Sequence, residues 1–376
     1  MSKHSIQEIL IKHGDRIMKK MGLPKLYLKV LDKLIACRTA VLGGHAQYCE
    51  NNHLNGVWYN SCKHRFCPKC RAMPTEEWLI NTKEILLDCP HHHIIFTLPH
   101  EFNDLWRYNK SLMTGFLFRA AQETLQKFAK DPKYLNATLG ILSALHTWGR
   151  SLSLHPHLHI LVSHGGLNSD GVWVGPKKDS LFPQKPVMMV FRGKFIAKVR
   201  KALDNEELEL PPNYHISKIT HLLNKIGRQD WVVHFCQRYD YAEGVATYLS
   251  RYVKSGPLKN NQILSVTDQE VTFEYSSHLT KKIEKLTLSI EDFIRRILEH
   301  TPLPGKPTVR YCGLYHSASR KKLNQARIAL GQKEVNGRKT LDWQAFLEKK
   351  GGLPVCEICG LPLTKRVEIE PARKAA

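Results

Sequence analysis

Leu154–Gly166 reads LHPHLHILVSHGG, with histidine at every second position before an apolar run. Side chains alternate between the two faces of a β-strand, so His155, His157 and His159 would project from one side. Leu158, Ile160 and Val162 would then point the other way, into a core. Imidazole is the commonest metal-ligating side chain. The preceding run, ATLGILSALHTWGR over 137–150, has the same strand character. A hairpin turning around Arg150–Ser153 would set His146 directly across from His157, and cross-strand neighbours share a face. His146, His157 and His159 would then form one cluster, with His155 one pair nearer the turn. A slip of one residue would scatter it, because every side chain would change face. Histidines normally favour softer metals than Mg²⁺. A phosphoryl-transfer site can still fill its open positions with water and substrate oxygens.

The rest of the chain reads as α+β. It has 376 residues, 42% of them hydrophobic, enough for two or three domains with real cores. Residues 1–36 carry apolar positions at helical spacing, broken at Pro24. Cys37–Pro74 is rich in Cys, His, Asn and Gly and poor in apolar runs, the pattern of a module held by metal rather than by a core. A helix is expected near 75–88, and HHHIIFTLP predicts a buried strand ending at Pro99. Residues 101–130 read as helix, GVWV as a short strand, 186–229 as basic helices, and 231–235 as a strand. A helix over 241–255 follows, then strands, then a helix from about Ile290. Adjacent strands favour an antiparallel sheet. The expected division is a helical segment 1–36, a Cys- and His-rich module 37–90 held by metal, an α+β domain 91–315 with a helical insertion at 186–229, and a basic, weakly patterned tail 316–376.

Lys and Arg number 56 against 34 Asp and Glu, a formal net charge of +22. That balance points to a polyanion, most often nucleic acid. No run of 18 apolar residues suggests a membrane span, and the start lacks the apolar stretch of a signal peptide. A cytoplasmic protein is expected, in which the ten cysteines stay reduced and their clusters serve as metal ligands. CKHRFCPKC packs Cys62, Cys67 and Cys70 together, and Cys67-Pro-Lys-Cys70 has the spacing of a zinc knuckle. Counting His64, eight candidate ligands lie between Cys37 and Cys70, enough for two ions. The best tetrahedral set is Cys49, Cys62, Cys67 and Cys70, with His53, His45 and Cys37 available for a second or variant site. Lys63, Arg65, Lys69 and Arg71 lie among the ligands and suit contact with phosphates. The late pair Cys356 and Cys359 has no second pair after it; it would borrow Cys312 or His316 or bind nothing, and reads as weak or disordered.

In YLSRY, Tyr248 and Tyr252 are one helical turn apart and share a face. Arg251 and Lys254 make their surroundings positive, which favours phosphate and lowers a phenol pKa.

These parts together resemble the HUH single-strand transposases of rolling-circle insertion sequences, the insertion-sequence ninety-one type. The resemblance covers about residues 30–320 and rests on CRTAVLGGH, YNSCKHRFCPKC, FTLPHEF, LHTWGR, HPHLHILVSHGGL, YLSRYV and VTFEY in that order. It implies a zinc-binding, DNA-binding module followed by an HUH endonuclease domain, an antiparallel sheet flanked by helices with the tyrosine helix packed across it. It implies that His157, His159 and a third ligand hold Mg²⁺ or Mn²⁺, and the hairpin favours His146 over His155 as that third ligand. It further implies that Tyr248 and Tyr252 cut single-stranded ends of a mobile element, leave 5′-phosphotyrosine, and rejoin the ends to target DNA. A bacterial, nucleoid-associated location follows from the same likeness. Where many members carry a second Cys-x-x-Cys, Cys49 is followed here by Glu-Asn-Asn-His53, which leaves the ligand set open. Two alternatives are a plasmid replication initiator or relaxase, and a non-catalytic zinc-containing DNA-binding protein. A zinc hydrolase is disfavoured, because no Glu stands beside the histidines to act as base.

Overall fold

The computed structural model describes residues 4–372 apart from 22–23, 178, 237, 241–243, 245–255, 278–279, 336, 350 and 353. The strands are β1 (Gly44–Tyr48), β2 (Leu54–Tyr59), β3 (His91–Thr97), β4 (Thr138–Trp148), β5 (Leu154–Leu167), β6 (Trp173–Val174), β7 (Val233–Phe235), β8 (Ile263–Val266), β9 (Glu270–Ser276), β10 (Ile283–Ser289), β11 (Val309–Gly313) and β12 (Lys365–Ile369). The helices that matter below are α1 (Ile6–Met21), α2 (Lys25–Ala36), α3 (Ala72–Ile85), α4 (Asn103–Tyr108), α5 (Lys110–Lys130), α6 (Gln184–Asp204), α7 (Ile216–Ile226), α8 (Ile290–Glu299), α9 (Arg320–Ala329) and α10 (Trp343–Glu348).

The central sheet is antiparallel in the order β11-β4-β5-β3-β7, with β6 added to β5. The alternation of β5 and β3 decides its faces. Leu158, Ile160 and Val162 join Ile94 and Phe96 on one face, against Phe116 and Leu117 of α5 and Phe191 and Phe195 of α6. Phe96 and Phe191 meet edge-on at 4.9 Å, a favoured aromatic geometry. Truncating a fully buried phenylalanine such as Phe191 to Ala costs about 3–5 kcal/mol. The opposite face carries the histidines at one end. At the other, Leu142 and Leu161 pack on Leu314, Tyr315 and Leu323.

A second apolar cluster runs across the expected segment boundaries. It joins α1 and α2 to Cys37, Phe66 and Cys67, to Val271 and Phe273 of β9, and to Phe293 and Ile297 of α8. α8 begins cleanly because Ser289 accepts from the Asp292 amide and two acids occupy the first turn. Leu152, in the β4–β5 turn, is fully buried in this second cluster.

The tail is the main departure from the sequence reading. That reading expects residues 316–376 to be weakly patterned, but they contain α9, α10 and β12. β12 pairs antiparallel with β1, from Gly44 opposite Ile369 to Tyr48 opposite Lys365, and completes the sheet β12-β1-β2. β12 is exposed over most of its length, so its alternation is too polar to announce a strand.

Gly313 ends β11 in the left-handed region at φ 61°, where the Leu314 amide donates to the Leu139 carbonyl. A Cβ there would collide with the same carbonyl oxygen. Gly313→Ala is therefore expected to destabilise the fold by about 2 kcal/mol or more, read as a lowered thermal midpoint in calorimetry; an unchanged midpoint would contradict the packing.

Candidate active site and metal centres

The register of β4 on β5 sets His146 opposite His157 and Ala144 opposite His159. The ligand nitrogens of His146, His157 and His159 lie within 4.8 Å of one another. His157 Nε2 and His159 Nε2 approach to 3.2 Å. His157 Nδ1–H donates to the His155 carbonyl at 2.7 Å, which leaves its Nε2 lone pair turned into the cluster. His155 is exposed and stands outside the group.

His93, on β3, is a residue the sequence reading passes over as part of a buried strand. Its Nε2 lies 2.9 Å from His159 Nδ1, an outer contact that fixes the ring with Nε2 facing His157. Only the register of β3 on β5, with Ile95 opposite His159, puts His93 within diagonal reach. Burial pushes His157 down to about 4, and His93 likewise to about 4 with help from His234. Burial, then His146, His157 and His93, holds His159 lower still. These imidazoles are thus neutral near pH 7, the form that ligates metal.

The tyrosines Tyr248 and Tyr252, with Arg251 and Lys254, fall outside the described residues.

The cysteines divide differently from the expected grouping. Cys37, not Cys49, stands with Cys62, Cys67 and Cys70. Cys37 Sγ is 3.2 Å from Cys70 Sγ and 3.5 Å from Cys67 Sγ, and Cys62 Sγ is 3.7 Å from Cys70 Sγ. A tetrahedral zinc with bonds of about 2.3 Å has sulfur–sulfur edges of about 3.8 Å, so the spacing suits one ion. Burial, followed by the neighbouring sulfurs, pushes Cys62 up to about 12 and Cys67 higher. Four thiolates can share this pocket only around a cation. Nothing in the spacing ranks Cys37 above Cys49, because the chain first makes a β-hairpin between Cys37 and Cys62 that carries Cys49 away.

Cys49 and His53 instead meet Cys356 and Cys359. The sequence reading leaves the late Cys-x-x-Cys weak, borrowing Cys312 or His316; neither belongs to this group. His45, the other expected candidate, is in none of these clusters and stacks across the hairpin on Trp58 at 6.1 Å.

Of the four basic residues in the module, Lys63 and Lys69 are exposed. Arg65 donates to the carbonyls of Leu303 and Lys306, and Arg71 donates to the Arg65 carbonyl. These two half-buried guanidinium groups act as scaffolding, which a count of charges does not reveal.

Comparison with known proteins closes the identification. Residues 140–322 match the family described as "Putative transposase", and residues 9–98 match the "Transposase zinc-binding domain". "Putative transposase y4qJ" of Sinorhizobium fredii is 33% identical over 310 residues, 81% of this chain and 78% of that protein. "Transposase for insertion sequence element IS801" of Pseudomonas savastanoi pv. phaseolicola is 32% identical over 307 residues, 79% of this chain and 72% of that protein. The chain belongs to the IS91/IS801 family of transposases. In this transposase the two matched spans hold different centres. Span 9–98 contains the Cys37 cluster, and span 140–322 contains the three histidines and both tyrosines. Cys356 and Cys359 lie beyond both spans. The zinc-binding module and the cysteine clusters fit structural zinc, and the transposase acts on DNA of a mobile element. Among the described residues, no helix is long and apolar enough to cross a membrane.

Cys67→Ser removes a buried ligand shared with the second apolar cluster. It is expected to lose one zinc per chain and to lower the thermal midpoint of the transposase, because structural zinc stabilises the fold that holds it. Elemental analysis of the purified variant checks this, and full zinc content would reject the Cys37 grouping.

Proposed function

We propose that this transposase cuts and rejoins single-stranded DNA at the ends of its element by a two-tyrosine mechanism, with His146, His157 and His159 as the centre of a divalent-metal site. The observation that carries the reading is the convergence of His157 Nε2 and His159 Nε2 at 3.2 Å, with each ring held from its far nitrogen. The donor set suits a divalent ion, since three imidazoles leave open coordination positions for phosphate oxygens and water. Mg²⁺ or Mn²⁺ held there would polarise the scissile phosphate. The protein residues do the rest.

A tyrosine, Tyr248 or Tyr252, gives up its phenolic proton to solvent and attacks phosphorus through its oxygen. The bond from phosphorus to the 3′ oxygen breaks as the new bond forms. That oxygen takes a proton and leaves as a 3′-hydroxyl, while the 5′ phosphate stays on the tyrosine. The ester keeps the energy of the phosphodiester, so the reverse attack by a 3′-hydroxyl rejoins DNA without ATP. Two tyrosines permit two cleavages and an exchange between donor and target. Lys63 and Lys69, with Arg251 and Lys254, are the cations we assign to the DNA backbone.

Mixing the protein with a single-stranded element end and Mn²⁺ is expected to trap an adduct at the DNA 5′ end, lost with chelator or in His157→Ala with His159→Ala. Tyr248→Phe together with Tyr252→Phe should abolish strand transfer; full transfer by that double variant would sink the mechanism. Nicking without transfer would favour a replication initiator or relaxase instead.

His93 supplies a separate expectation. His93→Leu frees the His159 ring, so Mn²⁺ binding at the histidines should weaken about 10- to 100-fold, with the fold intact by circular dichroism. Calorimetric titration of zinc-loaded protein measures it, and unchanged affinity would remove His93 from the site.

A further inference from the structure

The group Cys49, His53, Cys356 and Cys359 joins two ends of the chain separated by more than three hundred residues. Each half is shaped locally to present two donors. After β1, the Asn52 amide donates to the Cys49 carbonyl at 2.9 Å and the Cys49 amide to the His53 carbonyl at 3.2 Å. Asn52 takes the left-handed conformation at φ 59°, which folds Cys49 and His53 to the same side. In the other half, the Gly360 amide donates to the Cys356 carbonyl at 2.8 Å and the Cys356 amide to the Leu361 carbonyl at 2.8 Å. Gly360 sits at φ 69°, a conformation that glycine adopts without strain. This is a tight knuckle that sets its two sulfurs against Cys49 and His53.

The donor spacing is that of a single ion. Cys359 Sγ lies 3.6 Å from Cys49 Sγ, and Cys356 Sγ lies 3.8 Å from His53 Nδ1. All four donor atoms lie within 4.8 Å of one another. Tetrahedral zinc with three sulfurs and one nitrogen has edges of about 3.6–3.8 Å. A disulfide would instead bring two sulfurs to about 2.0 Å.

A second observation shows why something must hold this region. The sheet β12-β1-β2 has almost no core. Leu54, Val57, Trp58 and Tyr59 of β2 and Val367 of β12 are exposed, and of β1 only Ala46 is a buried hydrophobic side chain. Three short strands without a buried face are marginal in water. The pairing of β12 with β1, the Lys365 ammonium on Asn52 Oδ1 at 2.8 Å and the Ala372 amide on the Ala40 carbonyl at 3.0 Å add hydrogen bonds but little apolar burial.

We propose that Cys49, His53, Cys356 and Cys359 form a second zinc site, distinct from the Cys37 cluster, that clasps the C-terminal strand onto the N-terminal module. It does not depend on the nuclease reading above. The ion brings three thiolates and an imidazole to one point and supplies the stabilisation that a core supplies elsewhere. The site makes β12 an obligatory part of the N-terminal module although it comes from the far end of the chain.

The test uses the full-length protein. Elemental analysis is expected to find two zinc ions per chain, falling to one in Cys356→Ser with Cys359→Ser. Cobalt exchanged into the wild-type protein should give thiolate-to-metal charge-transfer absorption from seven sulfurs, falling to four in the double variant. Cys359→His, which keeps a ligand, should retain both ions. Limited proteolysis should release the C-terminal segment from the double variant while the remainder stays intact. The wild-type stoichiometry and cobalt spectrum decide the matter even if the double variant does not fold. One zinc in the wild type, two ions retained by the double variant, or only eight of the ten cysteines titrating as thiols after unfolding in chelator without reductant would each overturn the clasp.

Discussion

The register of β4 on β5 is the constraint on which the candidate active site rests. His146 meets His157 only because the two strands pair at that offset, and a shift of one residue would send His146 into the α5–α6 core. The hairpin is pinned from outside its own sheet. Leu152, at φ 61° in the turn, is driven into the second apolar cluster despite its unfavourable backbone conformation. Arg296 donates to the Ser151 carbonyl and His300 Nε2 lies 3.2 Å from the Leu152 carbonyl, both from α8 or its cap. Thr147 Oγ1 completes the contact with His300 Nδ1 at 3.3 Å. The same cluster contains Cys37 and Cys67. Zinc binding and the alignment of the histidines are therefore joined through one buried body of side chains, rather than through a linker between separate units.

What could be read from the sequence follows from how local each signal is. The alternation of β5, the hairpin to β4 and the α8 start need only a few consecutive residues, and each appears within a residue or two of its expected place. The three-histidine face was legible for the same reason, since two strands joined by a short turn have few registers to choose from. The partition of the cysteines was not legible. Cys37, Cys49 and His53 are close in sequence, and only the hairpin β1–β2 with β12 beside it decides which ion each can reach. His93 was missed because its role needs the register of a third strand, supplied by a segment some sixty residues earlier.

Two different forces hold the two halves of the molecule. The central sheet is sealed by large side chains, Phe96, Phe102, Phe191, Phe195 and Trp231, whose rings meet edge-on at 4.9–5.7 Å. Their burial is non-directional and tolerates local shifts. The β12-β1-β2 sheet has no such reserve, so its order rests on hydrogen bonds and directed donor atoms. Coordination is short-range and geometric, which suits a module that must hold shape while presenting an exposed surface.

That division also explains how a strongly basic chain distributes its charge. A formal excess of 22 positive charges over the whole chain works against compaction through self-repulsion. Arg65 and Arg71 relieve part of this by turning inward, where carbonyl oxygens of the 303–306 loop and of the module itself accept their hydrogen bonds. Burial lowers the affinity of both groups for their proton, yet guanidinium stays charged far above neutral pH. Both guanidinium groups therefore stay charged where the module meets the 303–306 loop, while Lys63 and Lys69 lie exposed on the same knuckle, Lys69 with its ammonium donating to Gln7 Oε1. The buried arginines fix the loop, because a planar guanidinium donates in set directions to several carbonyls at once, whereas the exposed lysines remain compact, strongly hydrated charges at the surface.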